Sequence, residues 1–94
     1  MAGVLVDYQI KGWAQRNERK IRDAYSGILY VGDPGNPPAG GSDSALASFC
    51  AERGCDLLTG DKRAYAPWLE QGVKEVRISL FSVDGQLVYL VRAA

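Results

Sequence analysis

The chain has 94 residues, 11 Lys+Arg against 11 Asp+Glu, and no histidine. That composition excludes a Ser-His-Asp triad, a Cys-His pair and any His-ligated zinc or iron site, and leaves acid–base work to carboxylates, Lys, Tyr, Cys or a bound metal. Zero net charge gives no global pull toward nucleic acid or membrane, and the length suits one domain with one core.

The apolar runs are too short to span a membrane, and the opening MAGVLVDYQ has no basic stretch typical of a signal peptide. No membrane partner and a cytoplasmic location are therefore expected. Cys50 and Cys55 cannot complete a zinc site without further Cys or His, so they read as small buried residues, with a disulfide across their short loop as the alternative.

In chain order, Val4-Leu5-Val6 reads as a buried strand ending at Asp7. Residues Tyr8 to Tyr25 read as a helix, with Ile10, Trp13, Ala14, Ile21 and Tyr25 on one face and an interruption near Asn17. Ile28 to Val31 is a second strand, ending at Gly32-Asp33-Pro34. Gly35 to Gly41 is a Gly/Pro-rich loop. It lacks the Gly-Lys-Ser/Thr ending of a P-loop and the spacing of a dinucleotide fold. Ser42-Asp43-Ser44 caps a second helix through Cys50, stopped by Gly54. Leu57-Leu58-Thr59 is a third strand, running into Gly60-Asp61. A third helix covers about Ala64 to Gln71, with Pro67 in its first turn. Val76–Val83 and Leu87–Arg92 flank Asp84-Gly85, a strong hairpin signal.

The alternation implies an α/β fold: three layers, α/β/α, with a mainly parallel sheet and a C-terminal β-hairpin. Residues 1–72 would be the core of a single domain, 1–94, and 73–94 its hairpin.

In a parallel sheet, sites form beyond the carboxyl ends of the strands. The three strands end at Asp7, Asp33 and Asp61, and Asp43 starts a helix at the same edge. Gathered carboxylates repel one another, and a divalent cation relieves that. An all-oxygen donor set suits Mg²⁺ or Mn²⁺. Asp33, before Pro34, reads as a turn residue, and Asp43 serves capping or metal equally well. Asp56 lies at the opposite edge and Asp84 in the hairpin turn.

Ser42-Asp43-Ser44-Ala45-Leu46, followed by Gly54-Cys55-Asp56-Leu57-Leu58-Thr59-Gly60-Asp61-Lys62-Arg63-Ala64-Tyr65, resembles the second half of a PIN domain. Val4-Leu5-Val6-Asp7 is similar to that family's opening strand and first acid. The resemblance spans about Val4 to Gly72 and is closest to the compact PIN-like proteins. It departs from the family's pattern in lacking the middle helices with their further acid, and in ending on a hairpin. It implies a Mg²⁺- or Mn²⁺-dependent ribonuclease, often the toxin of a toxin–antitoxin pair, with RNA and an antitoxin protein as partners. Asp7, Asp43 and Asp61 would match the family's metal-binding acids, and Thr59 its usual hydroxyl before the last acid.

On that mechanism Lys62 and Arg63 hold backbone phosphates. Arg16, Arg19, Lys20 and Arg22 are weaker candidates, better read as a solvated helix face. Trp13 and Trp68 suit base stacking in principle, but their helical positions favour packing. Thr59-Gly60-Asp61 also resembles the late acidic motif of haloacid-dehalogenase-type phosphatases, whose Asp-x-Asp start is absent here. A different class is a non-catalytic interaction or nucleic-acid-binding domain. The hairpin carries apolar residues on both faces, which points to homo-oligomerisation through it.

Overall fold

A computed structural model describes residues 3–83 and 85–93, with side chains for all of these except Lys62, Phe81 and Val83. The elements are β1 (Val4–Val6), a 3₁₀ turn (Tyr8–Ile10), α1 (Lys11–Arg16), α2 (Glu18–Ala24), β2 (Ile28–Tyr30) and α3 (Asp43–Arg53). Then follow β3 (Asp56–Thr59), a second 3₁₀ turn (Lys62–Tyr65), α4 (Ala66–Glu70), β4 (Val76–Val83) and β5 (Gln86–Ala93).

The strands form one five-stranded sheet in the order β2-β1-β3-β5-β4. β1 is central among the parallel strands, which is why all three of its residues are apolar and fully buried. The β1–β2 and β1–β3 pairings are parallel, whereas β3–β5 and β5–β4 are antiparallel. The expectation of a mainly parallel sheet is thus corrected to a mixed one. The physical reason is that the hairpin does not stand apart. Its second strand zips onto the free edge of β3, with Leu57, Leu58 and Thr59 opposite Val91, Leu90 and Tyr89.

Each face of the sheet carries its own apolar cluster. Leu5, Leu57 and Val91 pack with Leu46, Ala47 and Cys50 of α3 and with Ala64 and Trp68. The alternate residues Val4, Val6, Leu58 and Val88 pack with Ile10, Trp13 and Ala14 and with Ile21 of α2. Right-handed crossovers explain the split. The path from β1 to β2 steps to one side, and the path from β2 to β3 steps back across β1, so their helices cover opposite faces. Both tryptophans therefore pack in the core, at 8% and 3% exposure, which settles them as core residues rather than base-stacking platforms.

Local chemistry explains the helix boundaries. The break expected near Asn17 divides α1 from α2. Asn17 is buried, and its side-chain amide donates to the Trp13 carbonyl at 2.9 Å. This competes with the ordinary helix ladder. α3 starts at Ser42, whose hydroxyl accepts the Ala45 amide at 3.1 Å. It ends at Gly54 with φ +65°, a left-handed cap. Cys50 and Cys55 are both free thiols and both buried. Their mutual contact and burial push the Cys50 thiol up, so it stays protonated. In the hairpin turn Gly85 has φ +73°, as its position requires; Asp84 lies outside the described residues. No helix among the described residues is long and apolar enough to cross a membrane.

Candidate functional site

β1 and β3 are neighbours, but the chain leaves them toward helices on opposite faces. Such a switch point opens a crevice at the carboxyl ends of the two strands. Asp7 follows β1 directly, and Thr59 closes β3. Asp7 stays in the ladder, its amide donating to the Leu58 carbonyl at 2.8 Å. This fixes its side chain at the crevice.

Thr59 is the joint of the site. It is fully buried. Its hydroxyl donates to Asp7 Oδ2 at 2.8 Å and accepts the Asp61 amide at 3.2 Å. One threonine thus ties the first acid to the loop that carries the last. Gly60 allows that loop to lie close. A Cβ there would sit 3.3 Å from Gln9 Oε1 and 3.5 Å from Ile10 Cγ2.

The acids differ in how far they are already engaged. Asp7 Oδ1 accepts the Tyr8 amide at 2.7 Å, capping the first 3₁₀ turn. Asp61 Oδ1 accepts the Arg63 amide at 2.9 Å and meets its guanidinium at 3.3 Å. The Arg63 amide above all holds the Asp61 carboxyl below the ordinary carboxylate range; burial opposes it, and the Arg63 guanidinium adds to the lowering.

Asp43 is the free one. Ser42 takes the capping role, which leaves Asp43 in the first turn of α3 with no hydrogen bond or ion pair among the described residues. Burial, then the charges of Asp61 and Asp7, push its carboxyl up, with Arg63 opposing. Asp43 therefore lies within electrostatic reach of both Asp61 and Asp7. The three acids are not collapsed into a preformed cage: among the described residues no three Asp, Glu, Cys or His side chains are grouped to hold a metal ion.

The remaining expected residues divide. Arg63 is at the site, paired with Asp61. The Lys62 side chain lies outside the described ones. Arg16 on α1 and Lys20 on α2 are exposed, and no hydrogen bond or ion pair links them to the acids. Arg19 is exposed as well, and Arg22 is taken up by Glu18 at 2.8 Å. Asp33 is a turn residue, its carboxylate 3.3 Å from the Lys11 ammonium.

Two aromatics at this edge had no signal in the hydrophobic pattern. Tyr8 follows Asp7 and is 56% exposed; Tyr65 lies in the turn after Asp61 and is 39% exposed. Their adjacency to strand-end acids was the available clue. At the opposite edge, where Asp56 begins β3 as expected, its carboxylate accepts the Tyr25 hydroxyl at 2.6 Å.

Comparison with protein-family models, with curated proteins and with solved structures finds no match.

Proposed function

We propose that Asp7, Asp43 and Asp61, braced by Thr59, form a Mg²⁺ or Mn²⁺ site for RNA phosphodiester hydrolysis. On this reading the chain is a compact PIN-like ribonuclease with a three-layer α/β/α plan. It acts in the cytoplasm, as the toxin of a toxin–antitoxin pair with an antitoxin partner. One observation carries the proposal. Asp43 has no hydrogen-bond or ion-pair partner among the described residues, and burial first, then the charges of Asp61 and Asp7, make its carboxyl hold its proton more tightly. Uncompensated mutual repulsion of this kind is what a cation relieves.

The donor set fits the cation. All donors are oxygens, and Mg²⁺ takes only one or two carboxylates directly while keeping several waters. Acids that approach without closing into a cage suit that habit. A bound divalent ion supplies charge stabilisation on phosphate oxygens and a lowered water pKa.

The chain's own residues do the rest. Asp61, held ionised by Arg63, and Asp7, oriented by Thr59, anchor the site. Asp43 completes it, its carboxyl holding its proton more tightly than an ordinary carboxylate while the site is unneutralised. Arg63 keeps a guanidinium beside the acids for a backbone phosphate, and Lys62 adjoins it in sequence.

The test is cleavage of single-stranded RNA with Mn²⁺ by wild type, Asp7→Asn, Asp43→Asn and Asp61→Asn. Loss of cleavage by at least tenfold in each variant is expected. Equal cleavage by all four proteins, or none by wild type, would sink the proposal.

A second reading rests on the hairpin. Ile78, Leu80 and Leu87 share one face by register and are 41%, 58% and 50% exposed. β4 is also an edge strand. On this reading two copies associate through the hairpin, with or without catalysis. Leu80→Lys then shifts the mass measured by light scattering to that of a monomer. A monomeric wild type would remove this reading.

A further inference from the structure

At the end of the sheet remote from the acids, a charged row crosses three strands. The β4–β5 register sets Arg77 directly opposite Arg92. The β3–β5 register, whose outermost pair is Leu57 with Val91, brings Asp56 alongside Arg92. Directly opposed residues on an antiparallel ladder share a face, with Cβ atoms about 4.5–5.5 Å apart, and like charges there are destabilising. With Ala93, these three residues line an open depression of about 430 Å³.

Neither guanidinium has a hydrogen bond or ion pair among the described residues, where the ion pairs are Lys11–Asp33, Arg22–Glu18 and Arg63–Asp61. Asp56 is already occupied by the Tyr25 hydroxyl at 2.6 Å. Burial and that bond push the Tyr25 phenol well above its ordinary value, so Tyr25 remains a neutral donor to Asp56. Among the described residues that line the depression, two guanidiniums stand against one engaged carboxylate, a net positive charge.

We propose that Arg77 and Arg92 form a binding site for the phosphate group of a small phosphate monoester. Each guanidinium offers a planar fork that matches phosphate oxygens bidentately. A tetrahedral phosphate dianion offers both forks more oxygens and twice the charge of a carboxylate, which has two oxygens and a single charge to share between them. Bound phosphate also cancels the repulsion that the strand register builds in. The site stands independently of the acidic edge.

The probe is inorganic phosphate, titrated against the full chain by NMR of the arginine Nε–H groups, with acetate and chloride at matched ionic strength. Saturable phosphate binding at least tenfold tighter than acetate is expected. Arg77→Gln and Arg92→Gln each weaken it at least tenfold. Arg77→Lys weakens it less, because an ammonium keeps the charge and loses the fork. A thermal readout guards against misfolding. Without phosphate Arg77→Gln melts no lower than wild type, and phosphate raises the melting temperature of wild type more than that of Arg77→Gln or Arg92→Gln. A phosphate response no larger than that of chloride, or wild-type affinity in Arg77→Gln, would overturn the site.

Discussion

Thr59→Val isolates the bond that joins the two strand-end acids. Valine keeps the shape of threonine and removes its hydroxyl. Two partners are then stranded: Asp7 Oδ2, now 2.8 Å from the Thr59 hydroxyl, and the Asp61 amide, now 3.2 Å from it. A hydrogen bond to a charged group contributes about 1.5–3 kcal/mol, and a buried group left unpaired costs about 1–3 kcal/mol. The two overlap, because Asp7 is only half-buried and can take water in exchange. The net loss is therefore about 2–4 kcal/mol. In a domain of this size that lowers Tm by roughly 10–25 °C. Thr59→Ser keeps the hydroxyl and gives up one buried methyl, at about 1 kcal/mol. Urea denaturation with an unchanged m-value reads the difference. A double-mutant cycle with Asp7→Ala then yields a coupling of at least about 1 kcal/mol. If Thr59→Val is as stable as Thr59→Ser, or the coupling is near zero, the hydroxyl does not brace the site.

Asp43→Asn is expected to stabilise the fold while removing function. Burial, then Asp61 and Asp7, raise the Asp43 carboxyl in the folded chain. The folded state thus binds that proton more tightly than the unfolded one. Stability consequently falls as pH rises from the unfolded pKa through the raised folded one. Asparagine removes that loss, so the variant melts above wild type at about pH 7 and not above it at about pH 3, below the ordinary carboxylate pKa. A variant that melts lower at neutral pH would contradict this. Gly54→Ala places a side chain at φ +65° with nothing within 4 Å of the new Cβ. The cost is then purely conformational, about 1 kcal/mol by denaturation.

What the sequence made legible follows from locality. The β1 run Val4-Leu5-Val6, the stop at Gly54 and the interruption near Asn17 are each written in neighbouring residues. The hairpin register is legible too, since Asp84-Gly85 as a two-residue turn pairs Val83 with Gln86 and hence Arg77 with Arg92. The place of the hairpin in the sheet is not. Nothing local says that β5 pairs with β3 and leaves β4 outermost; the free edge of β3 and the covering of Val88 and Val91 decide it. The acids were legible as strand ends. Their unequal states were not, because these depend on which neighbour reaches each backbone amide first. Ser42 takes the cap of α3 and frees Asp43, while Arg63 occupies Asp61. Thr59 was legible as a position beside the last acid. Its bridge back to Asp7 depends on β1 and β3 being adjacent.

Mn²⁺ titration of wild type and Asp43→Asn, followed by electron paramagnetic resonance of the free ion, tests the carboxyl edge most directly. Saturable uptake of one ion by wild type, competed by Mg²⁺ and weakened at least tenfold in Asp43→Asn, is the expected result. Equal uptake by both proteins, or no saturable uptake by wild type, would contradict a metal site at Asp7, Asp43 and Asp61.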